Sequence, residues 1–98
     1  MLVQTNDWEK IELDPDCVVA FTASWCAPCQ QLKPQIAKAS VKDSSRNYYV
    51  VDVDVINPDV LESYSIQSVP QLFKTSLGLI EKRIGGRTAD DILSEINS

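Results

Sequence analysis

Two cysteines three residues apart, Cys26 and Cys29, are the side chains best suited to chemistry in this sequence. They lie in the stretch Phe21-Thr22-Ala23-Ser24-Trp25-Cys26-Ala27-Pro28-Cys29, where a hydrophobic run gives way to a helical pattern. A cysteine at a helix N-terminus meets unpaired N–H groups and a partial positive charge, so it ionises more readily than a free thiol. The thiolate is the reactive form. A second cysteine almost one helical turn further on is close enough to attack a mixed disulfide made by the first. The spacing describes a two-thiol redox centre.

Other chemistries are poorly supplied. The chain has no histidine, which removes the usual general base, any Cys-His nucleophile pair and every histidine-containing metal site. Three cysteines fall short of a four-cysteine zinc site, and an odd number does not suit a secreted disulfide framework. No metal and no cofactor is therefore expected. Cys17 lies in an apolar run and reads as a small buried hydrophobe. Nine basic and fourteen acidic residues give a net charge of -5, which opposes binding to nucleic acid or anionic lipid.

With 98 residues, 44% of them hydrophobic, the chain is expected to form a single domain over residues 1–98 around one core. No apolar run approaches the roughly 20 residues of a membrane span. Met1 to Asp7 lacks the basic and apolar regions of an export signal. The expectation is a soluble, cytoplasmic monomer.

The elements that must position the cysteines follow from pattern. Cys17 to Phe21 is a continuous apolar run, read as a strand buried on both faces and central in a sheet. Beyond the pair, Cys29, Leu32, Ile36 and Ala39 recur at helical spacing to about Val41, with a kink expected at Pro34. Tyr48 to Asp54 is β-prone and completes a βαβ unit with parallel strands. Leu2 to Gln4 reads as an edge strand, and Asn6 as the cap of a short helix to Ile11. Asn57-Pro58-Asp59 opens another helix, with Val60, Leu61 and Tyr64 on its apolar side. Leu72 to Ser76 and Leu79 to Ile84 form a hairpin about Leu77-Gly78, and Gly85-Gly86 ends its second strand. Thr88 caps a last helix, Ala89 to about Ile96, with Ala89, Ile92, Leu93 and Ile96 buried.

These features together resemble the thioredoxin family. The resemblance rests on Trp25-Cys26-Ala27-Pro28-Cys29 after an apolar strand, Pro34 five residues beyond Cys29, and Val51-Asp52-Val53-Asp54. It also rests on Tyr64 to Pro70 and the late Gly85-Gly86, and it spans about Val18 to Ile96. It implies an α/β fold, a central mixed sheet flanked by helices. It further implies a cis peptide between Val69 and Pro70 beside the disulfide, an exposed nucleophile at Cys26, and a buried resolving thiol at Cys29. Trp25 would cover the pair, with Asp54 accepting its indole N–H. Trp25, Ala27, Pro28, Val69, Pro70 and Gly86 would form the docking face for protein substrates. The implied partners are disulfide-containing proteins and a thioredoxin reductase as electron donor.

The sequence also departs from the family pattern. The aspartate usually buried six residues before the nucleophile is Ala20, and its lysine partner falls at or near Val50. Loss of both is internally consistent, because deleting one alone leaves an uncompensated buried charge. Proton transfer to and from Cys29 would then use water or a carboxylate such as Asp52 or Asp54. Ala27 replaces a commoner glycine, Thr22 a commoner tryptophan, and Gln71 a commoner threonine. Two function classes follow: a dithiol oxidoreductase reducing protein disulfides, or a docking or processivity subunit of a larger enzyme with an idle dithiol.

Overall fold

Strand and helix alternate along the computed structural model, which describes residues 1–98: β1 (Leu2–Gln4), α1 (Trp8–Glu12), β2 (Cys17–Thr22), α2 (Ala27–Lys42), β3 (Asn47–Asp52), α3 (Pro58–Ser63), β4 (Gln71–Ser76), β5 (Leu79–Ile84) and α4 (Ala89–Ile96). The five strands form one mixed sheet in the order β1-β3-β2-β4-β5. β2 is its centre, parallel to β3 and antiparallel to β4, and every one of its residues is buried. That is why this segment is apolar without alternation.

The sheet divides the expected single core into two layers. Val18 and Ala20 face one way, with Tyr48, Val50, Leu72 and Ile84, against Leu32, Ile36 and Ala39 of α2 and Ala89, Ile92 and Ile96 of α4. Cys17, Val19 and Phe21 face the other way, with Tyr49, Val51 and Phe73, against Ile11 of α1 and Val60 and Tyr64 near α3. There Phe21, Tyr64 and Phe73 meet pairwise with ring centroids 5.3 to 5.9 Å apart, an arrangement that favours tilted and edge contacts. Leu61 and Leu93 are only partly buried.

Two local expectations change. The cap of α1 is Asp7, not Asn6; Asn6 instead turns its side-chain oxygen to the Asp52 N–H at 2.9 Å, holding the end of β3. β3 stops at Asp52 rather than Asp54, because the Asp52 carboxylate accepts the Asp54 N–H at 2.9 Å and closes a turn. Pro34 lies inside α2 and withholds one backbone donor, and the helix runs to Lys42, close to the Val41 end read from the pattern.

The ends of the other elements follow the sequence closely. Asn57 accepts the Asp59 N–H at 2.9 Å with Pro58 in the first turn, and Thr88 accepts the Asp91 N–H at 3.2 Å. The hairpin turns through Leu77 (φ 51) and Gly78 (φ 81), the pair of left-handed residues that suits the twist of a two-residue loop. The edge strand β5 carries a bulge opposite Lys74/Thr75 and the charges of Glu81, Lys82 and Arg83, features that discourage edge-to-edge pairing.

Candidate active site

The C-terminal end of β2 delivers the chain into the reactive loop, and α2 begins within it. Cys26 is the N-cap of α2, with extended backbone (φ -92, ψ 107), and its sulfur accepts the Cys29 N–H at 3.2 Å. A sulfur here does what a serine or aspartate oxygen does at other caps, satisfying one of the orphan donors of the first turn. Pro28 occupies the first turn, where its missing N–H costs nothing. Two backbone bonds complete the start: Cys26 N–H to the Ala23 carbonyl and Gln30 N–H to the Cys26 carbonyl, each 3.2 Å.

Cys26 and Cys29 are joined as a disulfide, with Cα atoms 5.2 Å apart. Together with Ala23 they form a small buried cluster packed by Val53 and Val69. Cys29 is fully buried and Cys26 retains 5% of its surface. The sequence reading of Cys26 as exposed is therefore corrected in degree: Ala23, Val53 and Val69 crowd it, although it remains the more accessible sulfur.

Trp25 stands 69% exposed, and its indole N–H donates to Asp54 Oδ2 at 2.9 Å. The resemblance named that pair; the tether of Asp54 through Asp52 and Asn6 was not legible, because Asn6 reads locally as a helix cap. Gln30 was missed as well. Its side-chain amide donates to the carbonyls of Ala23 and Ser24 at 3.3 and 3.5 Å, bracing the loop before the cysteines.

The Val69-Pro70 peptide is cis, and the Val69 carbonyl oxygen lies 3.7 Å from Cys26 Sγ. The approach to this segment is set by the end of α3. Ser65, in the left-handed region (φ 55), sends its N–H to Glu62, and Ile66 N–H returns to Leu61 at 2.9 Å. This is a complete Schellman stop. Ile66, Leu61, Val53, Val69 and Trp25 then line an apolar recess of about 250 Å³.

Ala27 and Pro28 are exposed at the start of α2. Gly86 is half-buried, and its missing side chain is what lets the loop close on α4: a Cβ there would lie 2.6 Å from Glu95 Oε2 and 2.8 Å from Asp91 Cβ. Glu95 accepts the N–H groups of both Gly85 and Gly86. Nine residues separate Gly86 from Glu95, so no local pattern announces the contact. Cys17 lies apart from the site, bonded to Thr75 Oγ1 at 3.2 Å, and burial pushes its thiol up to about 11.

Comparison with known proteins places this geometry. The family model described as Thioredoxin matches residues 1–98. The chain is 34% identical over 79 residues to a thioredoxin H-type protein of Fagopyrum esculentum, covering 81% of this chain and 67% of that one. It is 30% identical over 96 residues to thioredoxin H3 of Arabidopsis thaliana, covering 93% and 80%. Among solved structures, thioredoxin NaTrxh from Nicotiana alata superposes with a TM-score of 0.83 at 25% identity, covering 98% of this chain and 90% of that one. With a family match over its whole length and a disulfide-bonded Cys-x-x-Cys pair at the start of α2, the chain belongs to the thioredoxin family and is a thiol-disulfide oxidoreductase.

Proposed function

We propose that Cys26 is the nucleophile and Cys29 the resolving thiol in the reduction of protein disulfides. The observation that carries this reading is the inequality of the two sulfurs. Cys26 Sγ sits at the helix cap with the Cys29 N–H directed at it, while Cys29 is wholly enclosed. A thiolate on Cys26 gains from that N–H and from the helix dipole.

In the first step, the Cys26 thiolate attacks one sulfur of the target disulfide. A bond forms between Cys26 and that sulfur, the target S–S bond breaks, and the departing target sulfur takes a proton. In the second step Cys29, deprotonated, attacks Cys26 Sγ, closing the Cys26–Cys29 disulfide and releasing the other target sulfur as a thiol. Two electrons pass from the protein to the target, and a thioredoxin reductase returns them.

Trp25, Ala27, Pro28, Val69, Pro70 and Gly86 form the docking face in this reading. The free backbone of Val69 beside Cys26 suits pairing with an extended substrate segment, and Asp54 fixes the Trp25 ring through its N–H. The working unit is one chain, since every group named comes from it, and a reducing cytoplasm suits the dithiol form.

Insulin reduction driven by dithiothreitol tests the assignment. Cys26→Ser is expected to lose nearly all protein-dependent turbidity, whereas Cys29→Ser is expected to accumulate a mixed disulfide through Cys26. Wild-type activity in Cys26→Ser would overturn the reading and favour a docking subunit with an idle dithiol.

A further inference from the structure

A second recess opens at Pro28, between the two cysteines in sequence. It is a groove of about 380 Å³ between the first turns of α2 and the loop joining β5 to α4, with Pro28, Gln31, Leu32 and Gln35 on one wall and Arg87 and Thr88 on the other. Gln35 Oε1 accepts the Ala89 N–H at 3.0 Å, tying the walls together, and the NH2 of the same amide is free to donate. The groove begins at Pro28, inside the Cys-x-x-Cys motif itself.

The cation at its lip has no acidic partner. Arg87, like Lys10, Lys33, Lys38 and Arg83, makes no ion pair, and its Nη1 donates only to the neighbouring Gly86 carbonyl at 3.1 Å; among these it is the one that lines this groove. The loop that bears Arg87 is nevertheless held. Glu95 takes the N–H groups of Gly85 and Gly86, and the close approach of Gly86 to Asp91 leaves the turn little room to shift. An exposed, unpaired guanidinium on a held loop therefore lines the groove that begins at Pro28, in a protein whose net charge is -5. The recess lined by Trp25 and Asp54 has the reverse character, a carboxylate among apolar side chains.

We propose that this groove seats the stretch of a substrate next to its target cysteine, and that Arg87 is a specificity-determining residue selecting a carboxylate in that stretch. The favoured substrates are protein disulfides flanked by an acidic residue on the side that enters the groove. Arg87 reads that acid, and the free Gln35 amide and the exposed Gln31 meet the polar backbone beside it. The inference rests on Cys26 being the attacking sulfur, because that is what brings the flanking chain to Pro28. Screening confines the general repulsion from a net negative protein to about a Debye length, so direct contact with one guanidinium outweighs it at physiological salt.

The test compares rates of reduction of peptide disulfides that differ by a single Asp or Asn near the target cysteine, placed in turn on each side. The Asp-to-Asn rate ratio is expected to fall about 3-fold in Arg87→Gln, the scale of an exposed ion pair, at positions on one side only. Arg87→Lys should retain most of the preference. Arg83→Gln changes the net charge equally, but its guanidinium lies over the Phe73 ring, 5.5 Å from the centroid, and the ratio should not move. The uncharged disulfide of 2-mercaptoethanol serves as the reference substrate to which the rates of each protein are normalised. An unchanged ratio in Arg87→Gln, or an equal fall in Arg83→Gln, overturns the groove assignment. If Cys26→Ser still reduced the uncharged disulfide, the nucleophile assignment would fall instead.

Discussion

Ala20 and Val50 lie directly opposite each other in the parallel pairing of β2 and β3, and both are packed into the apolar layer against α2. The resemblance places the family's buried acid at Ala20 and its lysine partner at or near Val50, and the two residues here are neighbours across the sheet and hydrophobic. An apolar pair at these positions leaves no buried charge without a partner.

Ala20→Asp consequently places a carboxyl in an apolar site with no cation opposite it. Desolvation raises its folded pKa above the unfolded value near about 3.9. Because the folded pKa is the higher one, the cost grows by about 1.4 kcal/mol per pH unit between the unfolded and the folded pKa, and then levels off. Urea unfolding of the oxidised protein is expected to show a larger loss at pH 8 than at pH 4, partly recovered by adding Val50→Lys. Equal losses at the two pH values would mean that position 20 is not a dry site.

The three thiols of the reduced protein should react with iodoacetamide in the order Cys26, Cys29, Cys17. Cys26 alone retains exposed surface, and Cys17 is both fully buried and raised to about 11 by that burial. Near pH 7 its thiolate fraction is then only about 1 in 10,000. Mass mapping of a time course checks the order. Cys17 should stay unmodified until the chain is unfolded, and early labelling there, or of Cys29 ahead of Cys26, would contradict the geometry.

Ser65 ends α3 in the left-handed region and makes no side-chain hydrogen bond there. A residue with a Cβ loses about 1 to 2 kcal/mol in that conformation, while glycine gives back part of the gain through unfolded-chain entropy. Ser65→Gly is therefore expected to stabilise the protein by about 0.5 to 1 kcal/mol. The urea midpoint should rise at constant slope; a fall would show that the left-handed stop is not strained.

At the other end of the sheet Arg46 joins the starts of β2 and β3, contacting Asp16 at 2.9 Å and Asp43 beside it. The Arg46 hydrogen bond holds the Asp16 carboxyl below its usual range. Burial alone would raise Asp43, but hydrogen bonds from Tyr48 and Arg46 outweigh it and leave that pKa lowered as well. Depressed carboxylates stabilise the fold above their unfolded pKa and lose that contribution as pH falls through the folded one. Arg46→Gln should accordingly cost about 1 to 3 kcal/mol near pH 7, with the gap to wild type closing below about pH 4. A gap independent of pH in chemical unfolding would refute the linkage.

Much of this protein is legible along the chain, wherever the cause is local. Cys26 and Cys29 at a strand-to-helix junction announce redox chemistry because spacing and helix polarity act within one turn. The unbroken apolar run of β2 announces a central strand, since only a strand covered on both faces needs no polar side. Asn57 and Thr88 cap their helices as read, because a cap reaches only two or three residues. Tertiary structure decided what depends on distant partners. Asn6 is free to cap a helix until β3 brings the Asp52 N–H within 2.9 Å, and then it serves the loop that holds Asp54 and Trp25. Glu95 is an ordinary helix acid until α4 packs under Gly85 and Gly86. Arg87, one charge among several in the sequence, becomes the cation of a groove because the loop before α4 meets the first turns of α2 at Pro28. Patterns along the chain record which face is buried and where an element stops; which side chain meets which backbone group is set by the packing of elements far apart in sequence, and no short window contains both partners.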